Sequence, residues 1–400
     1  MKIIKTYNSD NEYSDLTLID SLKNYIEKNN INLSVLSKIL SIDRKSLNTI
    51  LNGGDLKLNY ALRISNLLNL SNDKLIENYL KSVTSHEVDL MNKSKQSSYI
   101  IDNFDIEELK KNKIISSSND YDIINNELCY FFGFKSIFEY SNIIIKSPLF
   151  SKSKINVERN KEQKAQDFWI KSNILSFQKI NNTNEYNNDL LIEFIKRINP
   201  LTKNTEEGFN QAIYVLYQLG VTVLVQSYIP KTKAYGLTMI VNNKPCIVIT
   251  DMGKKYHKLW FTLLHELYHV LFDFEYLQNT VYHISMEDKI DLFLSEEEAD
   301  KFGVNSFISE EHLNILKQII TNKYKTLEMA KILNIHPSIV YGAYLETLNK
   351  DEQKVMFPKY MKYLDSSKPA LKNIIFDIGN KKNIDSAIES IKHNYKIMTA

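Results

Sequence analysis

Apolar positions recur at helical spacing through the first part of the chain: Leu16, Ile19, Leu22 and Ile26, then Leu33, Leu36, Ile39 and Leu40, then Leu47, Ile50 and Leu51. This spacing predicts several short helices between residue 16 and about residue 80, with Asn52-Gly53-Gly54 as a helix stop and further helices over 59–69 and 72–81. The polar stretch Ser82–Ser98 reads as a linker. Helical periodicity returns over Phe104–Lys111 and Asp122–Phe132, while Ser147–Gln163 reads as an exposed loop leading into a helix near Phe168–Phe177, and Asn181–Asn188 as another loop. The pattern changes near residue 206. Phe209–Leu219 reads as a helix stopped by Gly220, and β-branched runs at Val221–Val225, Tyr235–Val241 and Cys246–Thr250 read as strands, the last two joined by a turn at Asn242-Asn243-Lys244. Helices are expected over Lys258–Phe272, Ser295–Ile308 and Glu310–Ile320; from Thr326 a helix-turn-helix rhythm returns, and the last fifty residues read as helical. No repeat of fixed period is visible.

The expected class is therefore mainly α with a small β-sheet (α+β). The 400 residues divide into a helix-turn-helix module (1–82), a helical connector (83–205), a core with the strands (206–310) and a C-terminal helical region (311–400). Only 10 glycines and 7 prolines agree with a helical chain. Fifty basic against 48 acidic side chains leave a net charge of +2, which excludes a polycation that holds nucleic acid by charge alone and confines any DNA binding to one small basic helix, strongly weakened by salt. Two distant cysteines, Cys129 and Cys246, exclude a disulfide framework and a cysteine metal site, so metal chemistry would have to use His, Asp and Glu. No apolar run of about 18 residues and no leader pattern is visible, and a cytoplasmic protein without membrane association is expected.

Candidate chemistry concentrates at His265-Glu266-Leu267-Tyr268-His269, an H-E-x-x-H pattern. Residues four apart share one face of a helix, so both imidazoles can reach one metal ion, and Glu266 beside them can take a proton from a water as general base. Downstream, Ser295-Glu296-Glu297-Glu298-Ala299-Asp300 lies in a helical context. Because catalytic zinc commonly takes three protein ligands and keeps one open position, Glu296 is the expected third ligand, with Glu297 and Glu298 as alternatives. Asp300, one turn later, is placed to accept the free N–H of a ligand histidine. Glu275 stands where another spacing would put a third ligand, but Phe272 occupies the glycine position that turn requires. Tyr268, Tyr282 and His283 are candidate oxyanion or substrate contacts, the last two in a predicted loop. The metal expected is one zinc ion per chain.

In the N-terminal stretch, Leu36, Ile39 and Leu40 form the buried face of one helix, Ile42 plugs a turn, and Leu47, Ile50 and Leu51 dock a second helix. Arg44, Lys45 and Asn48 would then project where major-groove readers sit, with double-stranded DNA bound by a homodimer.

The stretch LSKILSIDRKSLNTILNG resembles an XRE-type helix-turn-helix domain, and the region from Gly220 through FTLLHELYHVLF to EEEADKF resembles the ImmA/IrrE family of zinc metallopeptidases. The whole arrangement is similar to two-domain regulators described as HigA-like antitoxins. Tyr268 stands where that family commonly has glycine, Gly303 where it has alanine, and Phe307-Ile308-Ser309 replaces a Leu-Met-Pro type ending. The resemblance implies a zincin fold with His265, His269 and Glu296 as zinc ligands and Glu266 as base. It also implies cleavage of a particular regulatory protein or cognate toxin or repressor, in toxin–antitoxin, stress, mobile-element or phage-defence control. Two alternatives are a non-proteolytic DNA-binding regulator whose zinc is structural or sensory, and an antitoxin that neutralises a toxin by direct contact.

Overall fold

A computed structural model of the chain describes residues 16–81, 85–143, 160–280, 282–286, 296–379 and 382–395. It divides into two compact units, Met1–Lys95 and Gln96–Ala400, and the division falls within a helix, Ser85–Asn103. The stretch read as a linker is thus helical from Ser85 onward. The regions read as connector, core and tail share a single hydrophobic core. Most of the loop expected at 147–163 lies outside the described residues.

The first unit is a bundle of α1 (Leu18–Lys28), α2 (Leu33–Leu40), α3 (Arg44–Leu51), α4 (Leu58–Leu67) and α5 (Asn72–Lys81). Leu18, Leu22, Leu36, Leu40, Leu47, Ile50, Ala61 and Ile64 form its core, whereas Ile39, expected on the buried face of α2, is exposed because that face turns only Leu36 and Leu40 inward. The turn between α2 and α3 uses Ser41 in the left-handed region (φ 51°), buries Ile42 and starts α3 with Asp43, whose side chain accepts from the Ser46 amide at 2.8 Å. Arg63 of α4 closes the turn by donating to the Leu40 and Ser41 carbonyls at 3.2 and 2.7 Å.

In the second unit one four-stranded sheet is surrounded by helices, which makes the class α+β and mainly helical. β1 (Thr222–Gln226), β2 (Ala234–Val241), β3 (Lys244–Thr250) and β4 (Tyr282–Met286) lie in the order β1-β3-β2-β4. β1 runs parallel to β3, and β2 is antiparallel to both β3 and β4. The β2–β3 hairpin turns on Asn242 and Asn243, both at positive φ (53° and 61°), as a two-residue primed turn demands. β2 and β3 are buried on both faces, because helix Tyr256–Phe272 packs across them and others cover the opposite side. β4 was expected as loop; its pairing Thr238↔His283 and Gly236↔Ser285 makes it the strand that flanks β2. No described helix is long and apolar enough to cross a membrane.

Two helices depart from their sequence patterns. Lys161–Ile180 begins earlier than the apolar run suggests, at a capping box between Asn160 and Gln163, and it buries Gln166, Asp167, Lys171, Ser172, Asn173 and Ser176. These polar groups are held by internal bonds such as Trp169 Nε1 to Gln226 (2.6 Å) and Gln226 Nε2 to Asn173 (2.8 Å). The helix-turn-helix rhythm from Thr326 is also present: Lys323–Ile332, Asn334 at φ 55°, buried Ile335, and Pro337–Glu346 capped by His336. Its second helix is not a surface element. Ser338 to Ala343 are all buried, and Gly342 lies so close to His257 that a Cβ there would meet the His257 Cβ at 2.7 Å.

Candidate metal centre

Helix Tyr256–Phe272 carries the H-E-x-x-H pattern with its apolar flanks, Trp260, Leu263, Leu264, Leu267 and Val270, in the core. Helix Glu296–Asn305 crosses it closely. A Cβ on Gly303 would stand 3.0 Å from the Phe261 carbonyl oxygen, so the glycine permits the close approach of the two helices. Of three consecutive acidic residues, only Glu296 faces the histidines. Glu297 pairs with Lys301 at 2.7 Å, and Glu298 accepts from the Tyr268 hydroxyl at 2.7 Å.

The result is a compact set, His265, His269, His283 and Glu296, whose ligating atoms all lie within 4.8 Å of one another and which could hold a metal ion. The Nε2 atoms of His265 and His269 are 3.3 Å apart; Glu296 Oε1 is 3.3 Å from His269 Nε2, and Oε2 is 3.5 Å from His265 Nε2. Each of these imidazoles has its other nitrogen on a carboxylate: His265 Nδ1 on Asp300 at 2.8 Å, His269 Nδ1 on Asp273 at 2.7 Å. A proton on Nδ1 suits that contact, so both Nε2 lone pairs converge beside a third anionic donor. Two imidazole nitrogens and a carboxylate meeting at these distances form a donor set that fits a cation. Asp273 gives a second indication. It caps the C-terminus of the helix, where an anion opposes the helix dipole, and its carboxylate is spent on His269.

The field is strongly negative. Although burial opposes its charged form, Asp300, Glu296 and Glu266 push the His265 imidazole up to about 10. Burial also opposes ionisation of Glu296, but His265, His269 and His283 hold its carboxyl far below the ordinary range. The carboxylates around the cluster thus favour positive charge at its centre.

Glu266 is completely buried, and its carboxylate turns toward β2. Oε2 accepts from the Thr238 hydroxyl at 2.6 Å; Oε1 has no hydrogen-bond partner and lies against Gly236. A Cβ at Gly236 would come within 2.6 Å of Glu266 Cδ. A cleft of about 810 Å³ opens on the cluster, where Tyr235, His265, Ser285 and Glu296 line it beside Lys258 and Phe261. Ser285 Oγ stands 3.1 Å from His265 Nε2.

The structure brings together His265, Glu266, His269, Glu296 and Asp300. It adds His283 at the centre, buried rather than in an exposed loop. Tyr268 is turned to Glu298 and pushed up to about 12 by burial and that carboxylate; Tyr268 and Tyr282 do not line the cleft. Glu275 is exposed. Asp273, Thr238, Gly236 and Ser285 carried no motif that would single them out. In the first unit Arg44, Lys45 and Asn48 are exposed along α3, with Arg44 donating to Ser34 of α2 and Asn48 accepting from Asn52 at 3.4 Å. No family model matches the chain, and no curated protein or solved structure does either.

Proposed function

We propose that the chain is a zinc-dependent peptidase of the zincin type joined to a DNA-binding helix-turn-helix unit, and that it cleaves one particular regulatory protein, or itself. The observation that carries this reading is the convergence of His265 Nε2, His269 Nε2 and a Glu296 carboxylate beside a buried glutamate whose Oε1 is unbonded, at the head of a cleft. The His₂Glu set favours zinc over harder cations. A divalent ion held there supplies Lewis-acid polarisation of a carbonyl and acidifies a water. Glu266 Oε1 accepts the proton of the attacking water and returns it to the leaving nitrogen: a C–O bond forms, the C–N bond breaks, and an acid and an amine leave. Thr238, bonded to Oε2, aims the carboxylate. The cleft, about 810 Å³, mixes charged side chains such as Lys258 and Glu296 with apolar ones such as Phe261, a lining that suits a polypeptide.

The surface of α3 supports the second half of the reading. Arg44 and Lys45 contact phosphates or guanine, Asn48 reads adenine, and a homodimer spans two half-sites of an operator. Tethering a peptidase to an operator suits control of a toxin–antitoxin, stress or mobile-element locus. A second reading has one observation behind it: four protein groups meet at the cluster, and four ligands would close it as a structural site, leaving DNA binding as the function.

The experiment compares wild type, Glu266→Gln and Glu296→Ala for bound metal and for cleavage of the proteins encoded beside it. Loss of cleavage with metal retained in the first variant, and loss of both in the second, is expected. Cleavage that survives Glu266→Gln refutes the peptidase mechanism.

A further inference from the structure

β2 breaks its own register beside the metal centre. Ala234 pairs with Met286 and Gly236 with Ser285, so two steps along β2 answer one step along β4, and Tyr235 is the extra residue of a β-bulge. The bulge is pinned from β3, whose pairing with β2 ends at Gly236. There the buried Thr250 hydroxyl donates to the Ala234 carbonyl at 2.7 Å and stands 3.2 Å from that of Tyr235. We infer that this bulge turns Tyr235 into the cleft as a specificity-determining residue, its ring forming one wall of a subsite for a large apolar or aromatic side chain next to the scissile bond. This rests on the peptidase reading above.

A regular strand would place this side chain elsewhere. Successive side chains point to opposite faces, and Gly236 and Thr238 both lie against Glu266, so these positions of β2 face helix Tyr256–Phe272. Without the bulge Tyr235 would share the far face with Leu237 and Met239. Instead it lines the cleft with Lys258, Phe261 and His265, all from that helix, and it is half-buried between two buried neighbours. Although burial opposes the Lys258 ammonium, Glu346 and the Tyr235 phenol favour it, which agrees with a ring turned to the same side. Its position follows from its neighbours. Tyr235 adjoins Gly236, which lies against the base Glu266, and Gly236 pairs with Ser285, whose Oγ is 3.1 Å from His265 Nε2. The subsite therefore borders the place where a scissile amide would lie.

The chemistry of the wall sets the preference. Phe261 supplies a second aromatic ring, and Val304 of helix Glu296–Asn305 adds an aliphatic side chain. Lys258 is spent on Glu346 at 2.6 Å, so its charge is balanced within the wall. Apolar surface beside balanced charges favours a substrate side chain that gains by leaving water and can stack on a ring, over one that carries a charge.

The test uses the full zinc-loaded chain and peptide hydroxamates that present phenylalanine, leucine, glutamate or glycine immediately before or immediately after the metal-binding group. Their affinities are measured by calorimetry, and zinc affinity by competition with a chromophoric chelator. In one of the two series wild type is expected to bind the phenylalanine and leucine compounds about 10-fold or more tighter than the glycine and glutamate compounds. Tyr235→Ala is expected to lose that preference to within about twofold while its affinities for zinc and for the glycine compound stay those of wild type; Tyr235→Phe, which keeps the ring, retains the preference. A preference that survives in Tyr235→Ala or disappears in Tyr235→Phe overturns the inference, as does a wild type that takes up zinc but does not discriminate in either series. Should Tyr235→Ala fail to fold, judged by circular dichroism, Tyr235→Gln decides: a lost preference supports the subsite and a retained one overturns it. Wild type that takes up no zinc removes the metal centre and the peptidase reading, and the subsite with them, an outcome separate from the behaviour of the variants.

Discussion

Gly236 is the residue whose replacement most directly interrogates the seat of Glu266. Its backbone is not in the left-handed region, so alanine is tolerated by the main chain and the cost comes from contact alone. The new methyl carbon would lie 2.6 Å from Glu266 Cδ and 2.9 Å from Cγ, where carbon pairs settle at about 3.5–4.0 Å, so the carboxylate must retreat by about 1 Å. Overpacking costs about 1–3 kcal/mol. Retreat also stretches the 2.6 Å bond from Thr238, and a hydrogen bond to a charged group contributes about 1.5–3 kcal/mol. A net destabilisation of about 2–4 kcal/mol is expected for Gly236→Ala. The decisive comparison is a double-mutant cycle with Glu266→Ala, which removes the atoms that clash; there the same glycine replacement should cost less than about 1 kcal/mol, a coupling of about 2 kcal/mol or more. Urea unfolding followed by tryptophan fluorescence suits the measurement, because both tryptophans, Trp169 and Trp260, are buried in the second unit and report it alone. Zinc affinity should change little, since the glycine touches no ligand. Equal costs in the two backgrounds, within about 0.5 kcal/mol, would refute the contact as the reason for glycine at this position.

Three further expectations follow from the same geometry. His257 is 1% exposed with an unbonded Nδ1, and burial, aided by Lys258 and Lys255, pushes its imidazole down to about 3, so it folds neutral. Above pH 6.5 neither state binds its proton and stability is intact; from 6.5 down to about 3 the unfolded chain takes up one more proton, and stability falls by about 1.4 kcal/mol per unit. Unfolding at stepped pH should show His257→Gln losing less than wild type across that window, and parallel acid limbs would contradict the assignment. Asp273→Asn keeps the volume but weakens the anchor of His269, and zinc affinity should fall about 10- to 100-fold in a chelator competition while an unchanged affinity would show that the contact is idle. Leu47 of α3 is fully buried in a small core, so Leu47→Ala should cost about 2–5 kcal/mol and expose residues 16–81 to limited proteolysis without altering tryptophan fluorescence; protection equal to wild type would count against the packing described.

Much of the centre was legible along the chain because helices translate spacing into direction. His265 and His269 share a face by their separation of four, and the same periodicity sends Glu296, Glu297 and Glu298 to three different partners. The turn of the first unit, with Ile42 as its plug, and the Asn242-Asn243 hairpin were likewise readable from local chemistry. Other features depend on segments far apart in sequence. Asp273 is the exception: it stands only four residues after His269, within reach of the same helical spacing, but no motif singles it out. His283 sits in a stretch with no strong strand pattern and reaches Glu296 only because β4 pairs with β2, while Gly236 and Thr238 matter only because helix Tyr256–Phe272 crosses that sheet. The same holds for the polar residues of Lys161–Ile180, which are buried where Gln226 and its neighbours bond them. And two stretches with the same helix-turn-helix rhythm end differently, α3 with one face exposed and Pro337–Glu346 buried along most of its length. Sequence periodicity determined which residues each element presents on one face; which of those faces meet, and so that Asp300 and Glu296 reach the histidines, was decided by the packing of helix Glu296–Asn305 on helix Tyr256–Phe272.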